Sequence, residues 1–361
     1  MQIVTFERIS NDAAGDSTHS DWVPTSMGNA ALGLESLEAH RPGARRLGAI
    51  IPAGPQEGAV VDLNRALAVR LAFDDVGAPE AEADSLLPSN VLTFLNQLPR
   101  SLQAARRALE FVVDSLGHYD APDVLRAGLV EPRRQIRLCA PVPRPGKILG
   151  VVRNYPDHAA ERGSATPPTE PVLFLKAASA VIGPEDEIRI PAASSRVDIE
   201  GELAVVIGRR THRVSAEDAL DYVAGYCVAN DVSARDFQNV RGQRFIGKSC
   251  DTFAPLGPAL VTADEIPDPQ DLAIRTLVSG DERQSGSTKE MHFSVAQLIA
   301  FASDLITLEP GDVILSGNPA GVGAARRPAR WLRDGDVVEV EIGRVGRLCN
   351  YVREGTADSG P

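Results

Sequence analysis

Three carboxylates are closely spaced in the stretch from Arg196 to Gly208, which reads RVDIEGELAVVIG. In an extended strand side chains alternate between the two faces, so Asp198, Glu200 and Glu202 are expected to point the same way. Three like charges leading into an apolar run that must be buried are unfavourable unless a cation compensates them. A hard divalent cation with oxygen ligands is the obvious candidate. A lone Glu-x-Glu is more simply a solvated edge strand, and the adjoining AVVIG run is what favours a metal site.

A further acid, Asp231, follows the apolar segment 225–230 and begins a turn that contains Ser and Arg. Functional groups are often presented at such strand ends, although Asp is also a favoured helix cap. Lys248 lies among small and apolar residues in GKSCDTFAPLGP. Such a lysine is either a surface group whose stem packs on apolar side chains or, beside a bound metal, a cationic partner for an enolate.

A histidine and a glutamate are three residues apart in the segment VVRNYPDHAAE. On a helix, His158 and Glu161 share a face, so the carboxylate can orient the imidazole and raise its basicity. Pro156 is a typical helix-start residue, and residues 163–168 are suited to act as a hinge. The competing interpretation of an isolated His-x-x-Glu is an exposed helix surface.

The elements that must position these residues are short. Beyond residue 146, β-rich segments alternate with Gly and Pro turns, which predicts a mixed, strongly bent β architecture with helices packed outside it. The expected strands are Lys147–Val152, Val172–Lys176, Glu202–Ile207, Gly225–Asn230, Leu272–Val278, Asp312–Ser316 and Val337–Ile342. The expected helices are Ser215–Tyr222 and Ser294–Leu305.

The first part of the chain has a different composition. Residues 10–46 are rich in Ser, Asp, Gly and Ala and are expected to be irregular. Leu47–Pro52 and Gly58–Leu63 predict a hairpin, and Asp62–Phe73 and Asn90–Leu116 carry apolar residues at helical spacing.

Three prolines at alternate positions in residues 139–146 favour an extended connector. We therefore predict an N-terminal domain of residues 1–138 with an irregular insertion near 10–46, a linker of residues 139–146, a second domain of residues 147–355 and a tail of residues 356–361.

Composition excludes several classes of partner. A formal net charge of −12 argues against nucleic acid, because binding a phosphate backbone relies on clustered Lys and Arg. No segment approaches the roughly 20 apolar residues that cross a bilayer, and the first residues lack a signal-peptide pattern, so we expect no membrane partner and a cytoplasmic location. The four cysteines are far apart and are expected to be reduced. An anionic substrate would need local positive charge in the site.

Four strings, in the order VDIEGELAVVIG, GYCVANDVSARD, GKSCDTFAPLGP and LEPGDVILSGNPAGVG, resemble the fumarylacetoacetate hydrolase family. The similarity covers Lys147 to about Val352. It implies the fold class α+β, with a mixed β-roll as the catalytic domain beside a smaller N-terminal α/β domain, and a homodimer. It also implies a divalent metal, Mg²⁺ or Mn²⁺, held by Glu200, Glu202 and Asp231, with Asp198 just behind these ligands.

The same resemblance brings other polar side chains to the metal pocket. These are Lys176, Arg235, Gln238 and Lys248. Lys248 is the implied cation for an enolate, and the others are implied substrate-binding residues. For Arg235, an ion pair with Asp236 or Glu202 is a competing interpretation.

The segment RNYPDH resembles the family's Arg-Asn-Tyr-x-x-His lid, whose His and Glu activate a water. The resemblance therefore implies that His158 is a general base and Glu161 its orienting partner. One position departs from the family pattern, because Asn318 stands in the turn where a Thr commonly receives a substrate carboxylate. An amide is longer and has both donors and an acceptor, so this end of the substrate is expected to differ.

Together these features predict a metal-dependent hydrolase that cleaves a carbon–carbon bond in a β-diketone acid, such as an acylpyruvate or a fumarylpyruvate-like compound. The partner is thus a small-molecule oxo acid. The alternative is a β-keto acid decarboxylase, or an isomerase or tautomerase of oxo-dioates, since the family performs these reactions too. A non-catalytic metal-binding scaffold is the interpretation from another class.

Overall fold

The computed structural model describes residues 1–9, 44–54, 56–118, 128–161, 163 and 168–355. The predicted tail, residues 164–167 of the predicted hinge and nearly all of the predicted insertion lie outside these ranges. The chain divides into two compact units, Met1–Leu138 and Cys139–Pro361. The first unit ends at the residue where the N-terminal domain is predicted to end, and the assignment of domains stays a prediction.

The first unit combines short strands with helices. Its strands are β1 (Gln2–Arg8), β2 (Arg46–Ile50), β3 (Val60–Asp62), β4 (Val130–Glu131) and β5 (Ile136–Cys139). Strand β2 pairs antiparallel with β1 and β3, β3 pairs with β4, and β5 pairs with β1. The predicted hairpin is therefore present as β2 and β3.

Its helices are α1 (Leu63–Phe73), α2 (Pro79–Leu86), α3 (Val91–Asn96) and α4 (Arg100–His118). Helix α1 begins after Asp62, whose side chain accepts a hydrogen bond from the Arg65 amide, and it packs against α2 and α4. The single helix predicted over Asn90–Leu116 is wrong. The chain turns between α3 and α4 at Pro99, which has no amide hydrogen to continue a helix.

Among the described residues, the second unit contains two larger sheets and a third sheet of two strands. Its strands in the first half are β6 (Ile148–Val152), β7 (Val172–Lys176), β8 (Val181–Ile182), β9 (Glu187–Ile190), β10 (Val197–Asp198), β11 (Gly201–Ile207), β12 (Val223–Asn230) and β13 (Ser233–Ala234). Those in the second half are β14 (Ala254–Thr262), β15 (Ala273–Val278), β16 (Asp281–Ser287), β17 (Val313–Leu315), β18 (Val337–Ile342) and β19 (Gly346–Glu354). Its helices are α5 (Pro156–Glu161), α6 (Arg244–Ser249) and α7 (Val295–Leu305).

The strands of the first sheet lie in the order β7-β6-β17-β11-β12-β14. Strands β6 and β17 are parallel, and all other neighbours in this order are antiparallel. The short strand β8 also pairs with β14, in parallel. The second sheet has the order β16-β15-β18-β19-β9, and the third is the antiparallel pair of β10 and β13. Strands β11, β12 and β14 pack against β15, β18 and β19, and every residue of β11 and β12 is buried. The predicted α+β fold, a mixed β-roll with a smaller N-terminal α/β part, is confirmed.

The predicted helix over Ser215–Tyr222 is wrong. Only a short 3₁₀ turn forms at Ala219–Tyr222. The Ser215 hydroxyl accepts a hydrogen bond from the Asp218 amide and donates one to the Asp218 carboxylate, which stabilises a turn in place of a helix. Among the helices of the described residues, none has the length and apolar character needed to span a membrane.

Candidate metal and substrate site

The carboxylate-rich segment does not form one continuous strand. Strand β10 ends at Asp198 and β11 begins at Gly201, so the prediction of an unbroken strand carrying three acids on one face is wrong at residues 199–200. The Glu200 amide donates to the side-chain oxygen of Asn230, and the Asp231 amide donates to the Glu200 carbonyl. These bonds to the end of β12 hold Glu200 beside Asp231.

The carboxylates of Glu200, Glu202 and Asp231 form a buried triad. Each offers an oxygen, and these oxygens all lie within 4.8 Å of one another. The Gly317 amide donates to Glu202 Oε2 at 2.7 Å, and Gly317 has a φ of +91° that a glycine adopts without strain. Three hard oxygen donors converging from separate chain segments suit a divalent cation such as Mg²⁺ or Mn²⁺.

Two lysines neutralise part of this charge. Lys248 Nζ donates to Glu200 Oε2 at 2.5 Å and also to Asp231, while Lys176 Nζ donates to Asp231 Oδ1 at 2.5 Å. Both lysines are only 2% exposed, so neither is a surface group. The surface interpretation of Lys248 is therefore wrong for this fold.

Arg235 connects the triad to Asp198. Its Nη2 donates to Glu200 Oε1 at 2.8 Å and its Nε to Asp198 Oδ2 at 3.0 Å. The competing interpretation, an ion pair with Asp236 or Glu202, is wrong: the Asp236 carboxylate instead accepts bonds from the Ser194 hydroxyl and the Ser195 amide.

The residues around Arg235 complete a network behind the triad. Gln238 Oε1 accepts a bond from Arg235 Nη1 at 3.0 Å. Asp198 also accepts bonds from the Gly323 and Ala324 amides. Asp198 therefore anchors Arg235 and a backbone turn, and it lies outside the triad.

The protonation of the triad is uneven. Burial opposes ionisation of Glu200, but Lys248 and Arg235 hold the pKa of its carboxyl well below the usual range. Burial, reinforced by the charges of Asp231 and Glu200, raises the pKa of Glu202 well above its usual range. Of the three triad carboxylates, Glu202 thus has the least favourable environment for its negative charge. A bound cation would supply the positive charge that is missing there.

The predicted histidine pair forms on helix α5. His158 Nδ1 lies 2.7 Å from Glu161 Oε1, and Glu161 Oε2 accepts a bond from the Gly321 amide at 2.9 Å. Asn318 Nδ2 donates to the Pro319 carbonyl and lies 3.5 Å from His158 Nδ1. His158 and Asn318 are both buried, so the exposed-surface interpretation of the His-x-x-Glu is wrong.

A cavity of about 230 Å³ brings these groups together. Of the predicted residues, it is lined by His158, Glu200, Arg235, Gln238, Lys248 and Asn318. The other predicted residues, Glu161, Lys176, Glu202 and Asp231, do not line it. Glu161 contacts His158, Glu202 belongs to the triad with Glu200, and Asp231 is paired with both Lys248 and Lys176. The roles of these residues stay predictions.

Several lining residues were not predicted. They are Val151, Val152, Arg153, Asn154, Phe174, Asn239, Arg244 and Gly317. The Phe174 ring lies 5.0 Å from Lys248 Nζ, and Asn154 bonds to the Phe293 and Ser316 backbones. A sequence signal existed for Arg244, because it lies four residues before Lys248 and a helix places such residues on one face.

Comparison with known proteins gives the family. The model of the fumarylacetoacetate hydrolase C-terminal domain matches residues 147–353, more than half of the chain. The chain belongs to the fumarylacetoacetate hydrolase family. Members of this family commonly bind a divalent metal, and the buried triad provides a suitable set of ligands.

Relatives of this family member carry different activities in their names. Oxaloacetate tautomerase of Xenopus laevis, named as mitochondrial, is 45% identical over 271 residues, which cover 74% of this chain and 80% of that protein. A 2-hydroxyhepta-2,4-diene-1,7-dioate isomerase from Mycobacterium marinum has a TM-score of 0.55 and 42% identity, covering 63% of this chain and 81% of that one. A fumarylacetoacetate hydrolase from Exiguobacterium antarcticum has a TM-score of 0.64 and 34% identity, covering 87% and 96% of the two chains.

Proposed function

We propose that this family member is a divalent-metal-dependent tautomerase or isomerase that interconverts the enol and keto forms of a small 2-oxo acid. One observation carries the proposal: Glu200 of the triad, its ion-pair partner Lys248 and His158 all line the same cavity. Such a cavity combines stabilisation of an enolate with a group that moves a proton.

His158 is the proposed proton carrier. Its Nδ1 lies 2.7 Å from a Glu161 carboxylate that is itself fixed to the Gly321 backbone. A carboxylate at this nitrogen selects the tautomer with hydrogen on Nδ1, so Nε2 keeps a lone pair. Nε2 is therefore the atom that accepts a proton from the substrate and returns it.

Lys248 is the proposed electrostatic partner of the enolate. Its ammonium group is shared between Glu200 and Asp231, and these carboxylates hold its pKa above the usual value although burial opposes this. A lysine held in the charged form is unsuited to act as a base. It instead stabilises negative charge that develops on a substrate oxygen.

The triad residues Glu200, Glu202 and Asp231 would hold the metal. When bound there, the divalent cation supplies Lewis-acid polarisation of the substrate's oxygen atoms. Lys176 forms an ion pair with Asp231 and Arg235 forms one with Glu200, so both carboxylates are fixed in position. In the reaction a proton leaves carbon for His158 Nε2 and is delivered to oxygen, so no other atom is gained or lost.

Proton transfer is favoured over bond cleavage by the relatives. Oxaloacetate tautomerase and the diene-dioate isomerase are 45% and 42% identical to this chain, whereas the fumarylacetoacetate hydrolase is 34% identical. A cavity of about 230 Å³ also suits a small acid. These points support a tautomerase or isomerase, which the sequence predicts as the alternative to a hydrolase.

Carbon–carbon bond hydrolysis is the second candidate. It is supported by the His158–Glu161 pair, which can equally deprotonate a water that attacks a distal carbonyl. The similarity to the fumarylacetoacetate hydrolase points the same way.

One experiment separates these functions. Enol oxaloacetate is mixed with protein and Mg²⁺ or Mn²⁺, and the decay of the enol ultraviolet absorbance is followed while products are weighed by mass spectrometry. Metal alone and His158→Asn with metal are the controls. Faster enol decay without a change of mass supports tautomerisation. Loss of carbon dioxide shows decarboxylation. An acylpyruvate is tested in parallel, and its conversion to two carboxylic fragments shows hydrolysis. If decarboxylation or hydrolysis is found while enol decay is no faster than with metal alone, the proposal is contradicted.

The homodimer and the cytoplasmic location remain proposals as well. The dimer is tested by light scattering after size-exclusion chromatography. The relative in Xenopus laevis is named as mitochondrial, so the location is best tested by cell fractionation.

A further inference from the structure

Arg244 has an unusual position beside the cavity. It is the first residue of helix α6, four residues before Lys248, and both side chains line the cavity. Residues four apart lie on one helix face, separated by about one turn of 5.4 Å. Lys248 is buried against the triad, whereas Arg244 is exposed and so lies toward the solvent end of the cavity.

The positive charges of the cavity are otherwise engaged. Four cationic side chains line it: Arg153, Arg235, Arg244 and Lys248. Arg235 and Lys248 are bonded to carboxylates, and Arg153 also has a partner. Within the part of the chain that the structure describes, Arg244 has no hydrogen bond or ion pair. Its guanidinium is therefore available to a ligand.

We propose that Arg244 is a specificity-determining residue that binds the distal carboxylate of a dicarboxylate substrate. The inference rests on the proposed function, which places the 2-oxo acid end of the substrate at Lys248 and the triad. A guanidinium forms two parallel hydrogen bonds with a carboxylate, which a neutral group does not reproduce.

The geometry agrees with a short dioate. Three carbon–carbon bonds of about 1.5 Å each join the carboxyl carbons of a four-carbon dioate, so these carbons are roughly 4 Å apart. This length is comparable to the one-turn separation of Lys248 and Arg244. The side chains of Lys248 and Arg244 are long and flexible, so their charged ends can adjust to the difference between these two distances.

Arg244→Met is the test variant and Arg241→Met its matched control. Arg241 is also exposed and only three residues away, but it lies over the Phe237 ring at 4.2 Å and does not line the cavity. Both substitutions are at exposed positions, so both variants are expected to fold. Circular dichroism and thermal unfolding check this.

The first measurement compares enol oxaloacetate with its 4-methyl ester, which lacks only the distal charge. In Arg244→Met, KM for oxaloacetate rises about 10- to 100-fold, as expected for loss of charged hydrogen bonds, and kcat changes little. The ester is turned over equally by wild type and variant. Arg241→Met behaves as wild type. An equal loss for both substrates, or no loss for either, overturns the role of Arg244.

The second measurement does not need turnover. Binding of malate and lactate, which differ in the distal carboxylate, is measured by calorimetry with Mn²⁺. Wild type is expected to prefer malate, and Arg244→Met to lose that preference. If this preference is found but no enol is converted, the proposed function fails while the role of Arg244 stands. If enol is converted but malate is not preferred, the role of Arg244 fails alone.

Discussion

His158 Nδ1 lies 2.7 Å from Glu161 Oε1, and this pair is the most directly testable contact of the site. The other oxygen of Glu161 is held by the Gly321 amide, so the carboxylate has a fixed orientation. The imidazole is thereby oriented by a group that is anchored to the backbone, and changing the carboxylate should alter the imidazole without altering the fold.

Glu161→Gln should lower kcat about 10- to 100-fold, because an amide supports the imidazolium less well than a carboxylate does. His158→Asn should remove nearly all enol conversion. Asp157→Asn is the matched control, since Asp157 is exposed on the same helix and does not line the cavity. Unchanged kcat in Glu161→Gln would show that the contact has no catalytic role.

Metal binding should stabilise the protein through the triad. A ligand that binds only the folded state at 100 times its Kd adds about 2.7 kcal/mol, so Tm should rise with the Mn²⁺ concentration. In Glu202→Gln the rise should disappear or need far more metal, because one oxygen ligand has lost its charge. Chelation by EDTA should abolish enol conversion by wild type. Glu217→Gln, at an exposed position, should respond to Mn²⁺ as wild type does. An equal rise of Tm in wild type and Glu202→Gln would exclude Glu202 as a ligand.

Arg235→Met should reduce the free energy of unfolding by about 3–5 kcal/mol, because it leaves Asp198 and Glu200 buried without their cationic partner. The exposed pair of Arg353 and Glu187 provides the comparison, and Arg353→Met should change stability by less than about 1 kcal/mol. Urea unfolding followed by fluorescence and circular dichroism measures both. Similar losses in the two variants would contradict the role of Arg235 as the central ion-pair partner of the site.

Cys227 should be inert to thiol reagents at pH 8. Burial raises the pKa of its thiol to about 12, and the reactive thiolate forms only as the pH approaches the pKa. Labelling with iodoacetamide followed by peptide mass mapping should modify Cys227 only after guanidinium is added. Cys349, which is less buried, is the internal comparison and should be labelled faster in the folded protein. Equal native labelling of the two would show that the β12 core opens readily.

Some features of this protein follow from short stretches of sequence. The strand β12 and helix α7 were predicted nearly at their observed limits, because apolar periodicity and capping are local signals. The grouping of His158 with Glu161 is also local, since a helix places residues three apart on one face. The grouping of Glu200, Glu202 and Asp231 needed the family resemblance, which was carried by long strings rather than by spacing alone.

Other features were decided by the tertiary structure. Lys176 and Asp231 are 55 residues apart, and Arg235 and Asp198 are 37 apart, so no local pattern specifies either pair. The break between β10 and β11 depends on bonds from Glu200 to the end of β12, which exist only once the sheet has formed.

The sequence by itself therefore determined the family, the fold class and the set of acidic and basic residues available for chemistry. The tertiary structure decided which cation neutralises which carboxylate, and that Arg244 stays without a partner among the described residues at the solvent end of the cavity. The reason is physical: periodicity and capping act over a few residues, whereas the energy of an ion pair depends on a distance and a degree of burial that only the packed chain fixes.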